Sequence, residues 1–291
     1  MANFNEVMVL GVIHSDPRIR YDKPEGDPDR RMVQASFNLI VVRGIRHFGA
    51  INGRIKLDMP VVMTRNPDLI GTISQWHAKD IVEIRGTLAS INLTGISKCP
   101  DCHEIEKVPE TIYYINPIGL KRERENMEPL EANNFIRKHA EFSNRITIAG
   151  TVISDISFHK VEKTGQRIVN YRLQSRRKYH DKEDNPDNRY DFLTVKSYGS
   201  LADSDMIALH KGSEVLIGGM LQVRRYEEEW KCPKCGASYK RIRTATEVIP
   251  YSTEYLRDGM TLDQVNAVKD QRLHEEVKEL EKEYLRERNL L

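Results

Sequence analysis

Asn5-Glu6-Val7-Met8-Val9-Leu10-Gly11 returns later in the chain as Asn144-Arg145-Ile146-Thr147-Ile148-Ala149-Gly150, with Ser15-Asp16 following the first copy and Ser154-Asp155 the second. A second register repeats the back half of the unit: Cys99-Pro100-Asp101-Cys102 becomes Cys232-Pro233-Lys234-Cys235. His77 to His210, Gly86 to Gly219, Thr111 to Thr244 and Pro117 to Pro250 are the same step. The two registers differ by a few residues, so the slip falls in mid-repeat loops. A period this long is that of a complete small fold rather than of stacked repeats, and 291 residues is the length of about two domains.

Within each copy, alternating apolar residues predict five strands. In the first they cover residues 6–13, 33–42, 57–64, 81–93 and 111–120; in the second, 145–153, 168–175, 190–198, 214–226 and 243–250. Between the third and fourth strands the period changes to that of a helix, over 67–79 with Asn66 as cap and Pro67 in the first turn, and over 201–210. Five strands with one helix in that position is the element order of the OB-fold, a five-stranded Greek-key barrel. The expected fold is therefore all-β with minor helices: two tandem OB-fold barrels at 1–122 and 143–256, joined by a linker with a short helix at 123–142 and followed by a C-terminal helix at 257–291. In that last helix Leu273, Val277, Leu280 and Tyr284 share one face, which reads as a helix lying on the second barrel or pairing with a sister chain.

A net charge of only +2 gives no global field for nucleic acid, so any such case rests on local clusters. These are Arg176-Arg177-Lys178, Arg224-Arg225 and Lys240-Arg241-Ile242-Arg243, all in the second copy and beside aromatics. The bland reading of one cluster is a solvated face, and of one aromatic, core packing. Together, Tyr179, Phe192, Tyr198 and Tyr226 with Arg176, Arg177, Lys178, Lys196, Arg224 and Arg225 form the combination that holds single-stranded nucleic acid: cations on phosphates, rings on bases.

In this respect the chain resembles the bacterial single-stranded DNA-binding protein family. Val9-Leu10-Gly11, Asp16-Pro17-Arg18-Ile19-Arg20-Tyr21 and Val33 to Leu39 are similar to that family's opening strand, first turn and second strand. Tyr198-Gly199-Ser200-Leu201-Ala202, Lys211-Gly212-Ser213, Gly219 to Tyr226 and Thr246-Glu247-Val248 are similar to its later elements. The resemblance implies base stacking at Tyr179, Phe192, Tyr198 and Tyr226, with Ile45, Met59, Arg65 and Leu93 at the matching places of the first copy. The second barrel is thus expected to be the main binding surface. The first would add Arg43, Arg46, Phe48, Arg54 and Arg65, or act as an assembly partner.

Four cysteines in two Cys-x-x-Cys pairs depart from the family's common pattern. Each pair supplies half of a four-ligand structural zinc site, so the expectation is one shared site of Cys99, Cys102, Cys232 and Cys235. A site between chains, two sites completed by His103 or another ligand, and a redox role are the alternatives. Trp76 reads as core and Trp230 as packing on the second knuckle.

No phosphate-cradling glycine loop or catalytic cluster is present, which points to a binding protein and not an enzyme. The alternatives are an accessory factor acting through protein contacts in replication or recombination, and a subunit of a nucleic-acid-processing enzyme whose catalytic chain is elsewhere. With no apolar run long enough for a bilayer, the expected setting is cytoplasmic and nucleoid-associated, without membrane. Expected partners are single-stranded DNA, a second copy of the chain in a homodimer that brings together four barrels, and replication or recombination proteins. The family's acidic, hydrophobic C-terminal tip is replaced here by Leu285-Arg286-Glu287-Arg288-Asn289-Leu290-Leu291, which puts the usual recruitment in question.

Overall fold

The computed structural model describes residues 4–43, 56–177, 189–260 and 262–287. In the first half β1 (Asn5–Ile13), β2 (Arg18–Tyr21), β3 (Met32–Val42), β4 (Leu57–Asp58) and β5 (Val61–Thr64) precede α1 (Pro67–Ile73), β6 (Ile81–Lys98) and β7 (Ile105–Arg124). Two linker helices, α2 (Pro129–Lys138) and α3 (Ala140–Ser143), lead to β8 (Asn144–Val152), β9 (Ser157–Lys160), β10 (Arg167–Arg176) and β11 (Tyr190–Tyr198). Then come α4 (Gly199–Ala208), β12 (Glu214–Lys231), β13 (Ser238–Arg257) and α5 (Leu262–Glu287).

Each half closes as a five-stranded barrel. The first runs β1-β3-β5-β7-β6 and back to β1; the second runs β8-β10-β11-β13-β12 and back to β8. Alternation places Val7, Val9, Phe37, Leu39, Val62, Ile84, Leu88 and Ile115 inside the first barrel, and Ile146, Ile148, Tyr171, Leu173, Val195, Ile217, Leu221 and Val248 inside the second. Trp76 is core as expected, edge-on to Phe37 at 6.0 Å. The helix expected to reach residue 79 ends at Ile73, and the third strand breaks at Met59-Pro60 because proline has no N–H for the ladder.

The barrels share one continuous sheet through antiparallel pairing of β1 with β8, in which Val7 faces Ile146, its own counterpart in the other copy. The two halves are therefore related by an approximate two-fold axis at that pair. Asn5 and Asn144 mark it on either side. Each buried amide spans to the fourth long strand of its own barrel, Asn5 to the Leu88 carbonyl and N–H (2.8 and 2.9 Å) and Asn144 to those of Leu221 (2.7 and 2.9 Å). Gly86 and Gly219 recur because each sits at a register shift where a Cβ would run into the carbonyl of Asn116 or Ile249.

The hairpins β6–β7 and β12–β13 run well past the expected strand ends and stand out from the barrels as two arms. The expectation that the C-terminal helix lies on the second barrel holds only for its first turns. Val265 is buried and Lys269 donates to Ser204 Oγ of α4 at 2.6 Å, whereas Leu273 and Leu280 are 61% and 64% exposed.

The second barrel is polar where the first is apolar. Asp205, Tyr171 and Thr253 stand at the places of Ile73, Phe37 and Leu120, and Tyr255 donates to Asp205 Oδ1 at 2.8 Å. Burial pushes the Asp205 carboxyl up to about 6, against the downward pull of the Ser197, Tyr255 and Thr253 hydroxyls and the Lys269 charge. Because the folded chain then holds this proton where the unfolded chain has released it, the contribution is complete below about pH 4 and is lost as pH rises through about 6. In thermal unfolding across that window, the parent should lose up to about 3 kcal/mol from this group. Asp205→Asn should remove that slope and raise the midpoint at neutral pH.

Candidate nucleic-acid interface and cysteine centre

The strands β10, β11, β13 and β12 of the second barrel point alternate side chains outward onto one wall. Register puts Arg172 beside Thr194, Gln174 beside Phe192, Arg176 beside Tyr190 and Asn170 beside Lys196. On the far side of the same wall, Gln222 faces Glu247, and Tyr226 faces Arg243. Phe192 and Tyr198 are half-buried, while Tyr190 and Tyr226 are exposed, so the rings stand on the outside of the barrel and not in its core. Tyr179 and Lys178, expected on the same surface, lie outside the described residues, as do Ile45, Arg46, Phe48 and Arg54.

Charges on this wall are arranged around Glu247, a buried carboxylate. Arg224 grips it with Nε and Nη2 at 3.1 and 2.9 Å, and Lys196 Nζ lies 3.7 Å away. The Arg224 guanidinium also sits 5.0 Å from the Tyr226 ring, and Lys196 Nζ 6.0 Å from that of Tyr198. Burial and then Glu247 push the Tyr198 phenol upward, while Arg224 and Arg43 pull it down. Tyr198 therefore stays a neutral ring with a hydrogen-bonding tip. Two cations and one carboxylate leave a single net positive charge at the centre of the wall, supplemented by Arg172 and Arg176, which are exposed.

Three cationic expectations need correction. Arg177 is not on the wall. It is buried, forks onto Asp191 through Nε and Nη2 (3.2 and 2.6 Å), and donates to the Ser90 carbonyl of the first barrel at 2.9 Å. Asp191 in turn accepts from the Ser90 N–H at 2.7 Å. The counterpart in the first barrel repeats the device: Arg43 forks onto Asp58 (2.8 and 2.7 Å), and Asp58 accepts from the Val223 N–H at 2.9 Å. Arg43 is therefore also structural. The third case is the run Lys240-Arg241-Ile242-Arg243, whose charges are taken up by the facing strand: Lys240 on Glu227 at 2.9 Å, and Arg241 and Arg243 on Glu228 at 2.6 and 3.2 Å.

Arg225 differs again. Its neighbour Arg224 lies on the second barrel's wall, and strand alternation turns Arg225 to the opposite face of the hairpin, where it lines a groove against the first barrel. Sequence reasoning missed Tyr190 and Arg172, although both occupy outward positions in the alternation of their strands.

At the tips of the arms the four cysteines converge within one chain, as expected. Cys99 Sγ lies 3.7 Å from Cys235 Sγ, Cys102 Sγ lies 3.6 Å from Cys232 Sγ, and all four lie within 4.8 Å of one another. Each knuckle is turned by a residue of positive φ, His103 at 58° and Gly236 at 75°. His103 is thereby a turn residue and not part of the cluster, which answers the two-site alternative. Backbone N–H groups of Cys235 and then Lys234 help to pull Cys232 down to about 7. Cys102 is pushed up to about 12: the Glu104 backbone pulls it down, but desolvation and the three other thiols outweigh that. Four crowded sulfurs cannot all ionise unless a cation joins them. Trp230 packs on Tyr239 at 5.2 Å, and Tyr239 reaches Ser97 of the other arm at 3.1 Å, so the ring braces the arms just below the cysteines.

The fold and wall define an OB-fold protein with an aromatic and cationic outer surface. Residues 143–248 match the model of the single-strand binding protein family. Single-stranded DNA-binding protein 1 of Clostridium acetobutylicum is 29% identical over 85 residues, 29% of this chain and 76% of that protein. Single-stranded DNA-binding protein 2 of Chlorobaculum tepidum is 28% identical over 86 residues, 30% of this chain and 58% of that protein. The crystal structure of the single-stranded DNA-binding protein from Thermus aquaticus superposes with a TM-score of 0.56 at 16% identity, over 88% of this chain and 94% of that one, a likeness of fold. The likeness in sequence to the single-strand binding protein family thus lies in the second barrel.

The opposite placements of Arg177 and Arg225 give a test by thermal or chemical unfolding. Arg177→Ala leaves Asp191 as a buried, unpaired charge and should cost about 3–5 kcal/mol. Arg225→Ala should stay within about 0.5 kcal/mol of the parent.

Proposed function

We infer that the chain is a non-enzymatic protein that binds single-stranded DNA. The observation that carries this reading is the joint outward presentation of Phe192, Tyr198, Tyr226 and Tyr190 with Lys196, Arg224, Arg172 and Arg176 on one barrel wall. Rings that stack on any base, together with cations that neutralise phosphates, give binding that tolerates sequence and weakens with salt. Tyr179 and Lys178 belong to the same proposal on the strength of the sequence. Oligo-dT should bind more tightly than duplex of equal length, with log affinity falling linearly against log salt. Tyr226→Ala should cost about 1–3 kcal/mol of binding without a change of fold. Equal affinity for duplex, or an unaffected Tyr226→Ala protein, would reject the reading.

Zinc is the metal that fits the cysteine centre. Sulfurs about 2.3 Å from a central zinc in a tetrahedron stand about 3.8 Å apart, and the two Sγ–Sγ contacts, 3.7 and 3.6 Å, match that edge. Four thiolates leave no open position, so the role is structural: the ion would tie the two arms at their tips. Elemental analysis should find one zinc per chain, lost in Cys99→Ser or Cys235→Ser, and a chelator should lower the melting temperature while leaving the barrels folded.

The division into 1–122, 123–142, 143–256 and 257–291 is retained as a proposal about independent units. A homodimer is proposed through α5, since Leu273, Val277 and Leu280 form an exposed stripe of coiled-coil spacing that no part of the described chain covers. No helix among the described residues is long and apolar enough to cross a membrane. Action in the cytoplasm, at the nucleoid, in replication, recombination or repair follows from the proposed ligand, and replication or recombination proteins are the corresponding partners.

A further inference from the structure

Ser90 belongs to the first barrel, yet its backbone and side-chain polar groups are directed to the second. Its N–H donates to Asp191 Oδ1 at 2.7 Å, its hydroxyl donates to the same oxygen at 3.2 Å and accepts from the Phe192 N–H at 3.3 Å, and its carbonyl accepts from Arg177 Nη2 at 2.9 Å. The place it takes is a gap beside β11. There the Arg189 carbonyl accepts from the Arg177 N–H at 2.8 Å, so antiparallel alternation gives residues 191 and 193 the bonds to β10 and turns the Phe192 N–H to the opposite edge. Along that edge β13 joins β11 only at Val195 and Val248 among the described residues. Ser90 thus supplies the partner that the Phe192 N–H lacks within its own barrel.

The contact falls under the rings of the wall. Tyr190, Phe192 and Thr194 alternate outward on β11, with the buried Asp191 between the first two. Tyr113, the cross-strand partner of Ser90, lies 3.3 Å from Thr194 Oγ1, so the Ser90–Tyr113 pair holds β11 at Phe192 and at the next outward residue. The other copy offers a comparison. Asp58, Met59 and Val223 stand at the places of Asp191, Phe192 and Ser90. Val223 keeps the backbone contact, its N–H donating to Asp58 Oδ1 at 2.9 Å, but valine has no hydroxyl. The hydroxyl is present beside the barrel that carries a ring and absent beside the one that carries methionine.

We propose that Ser90 is a positioning residue for single-strand binding: through its hydroxyl the first barrel fixes the edge of β11 and with it the angle at which Phe192 presents its ring to a base. The proposal rests on the reading of the chain as a single-strand binder, and it gives the first barrel a part in that binding without contact with the nucleic acid. A stacking ring acts only when its plane is held to the base, within about 10–20° for a well-ordered site, and that precision comes from the hydrogen bonds behind it. An N–H left unheld at a strand edge turns toward water and tilts the backbone that carries the ring.

The test uses the full chain and the isosteric pair Ser90→Thr and Ser90→Val, which differ only in the hydroxyl; valine is also what the other arm carries at the matching place. Affinity for oligo-dT should fall about fivefold in Ser90→Val and stay within about twofold of the parent in Ser90→Thr. Hydrogen exchange of the Phe192 amide, read by NMR without nucleic acid, should accelerate about tenfold in Ser90→Val and not in Ser90→Thr, with the amides of Ile146 and Ile148 unchanged. Double-variant cycles separate positioning from a general loss of structure. In a Phe192→Ala background Ser90→Val should cost no further affinity, whereas in a Tyr226→Ala background it should cost the same factor as in the parent. Ser90→Ala takes the place of Ser90→Val should the latter fail to fold. An equal loss in Ser90→Thr and Ser90→Val, a loss that persists in the Phe192→Ala background, or unchanged affinity in Ser90→Val overturns the proposal and leaves the stacking wall in place. Failure of the parent itself to bind oligo-dT rejects the single-strand reading on which the proposal rests.

Discussion

Antiparallel pairing of β1 with β8 is the constraint from which the rest of the molecule follows. Because Val7 meets Ile146, corresponding strands run in opposite directions on either side of one axis, and each hairpin arm is carried across toward the other barrel. This crossing places Asp58 under Val223 and Asp191 under Ser90, so the two buried Arg–Asp pairs hold opposite barrels together instead of only bracing their own. It also brings two cysteine pairs far apart in sequence to within 4.8 Å of one another. Had the strands paired in parallel, the arms would have diverged and neither arrangement would exist.

The charge distribution explains why a nearly neutral chain can present a cationic surface. Many of its arginines face a carboxylate: Arg177 with Asp191, Arg43 with Asp58, Arg224 with Glu247, and Arg241 and Arg243 with Glu228. The two buried pairs, Arg177–Asp191 and Arg43–Asp58, contribute more to which arrangement forms than to net stability, since desolvation offsets most of the attraction. On the second barrel and its arm, Arg172, Arg176 and Arg225 are exposed and face no carboxylate among the described residues. Counting basic residues along the sequence overstates the field; alternation and cross-strand register decide which cations are available.

The barrels were legible in the sequence because period-two alternation and the duplicated glycines report directly on strands and their bends. The cysteine centre was legible for a related reason: half a metal site in each copy has few economical completions. The role of Arg177 was hidden, because a run such as Arg176-Arg177-Lys178 reads as one patch although consecutive strand residues point to opposite sides. Asp58 and Asp191 gave no local signal at all, as the backbone N–H that each accepts from belongs to the other copy. Tyr190 and Arg172 were hidden for the opposite reason, since single outward residues on strands look like ordinary surface. Tyr179 and Lys178 keep the standing that sequence alone gives them.

The β1–β8 seam lies within a single polypeptide, and that has a consequence for how its halves have diverged. In an assembly of identical subunits, any replacement is imposed on every copy at once, so a change useful on one side must be tolerated on all. Here each side mutates alone. Tyr226 and Leu93, Asp205 and Ile73, and Arg225 and Asn92 occupy matching places with unlike chemistry, which gives the molecule an inherent polarity: its two ends present different surfaces and are distinguishable from one another.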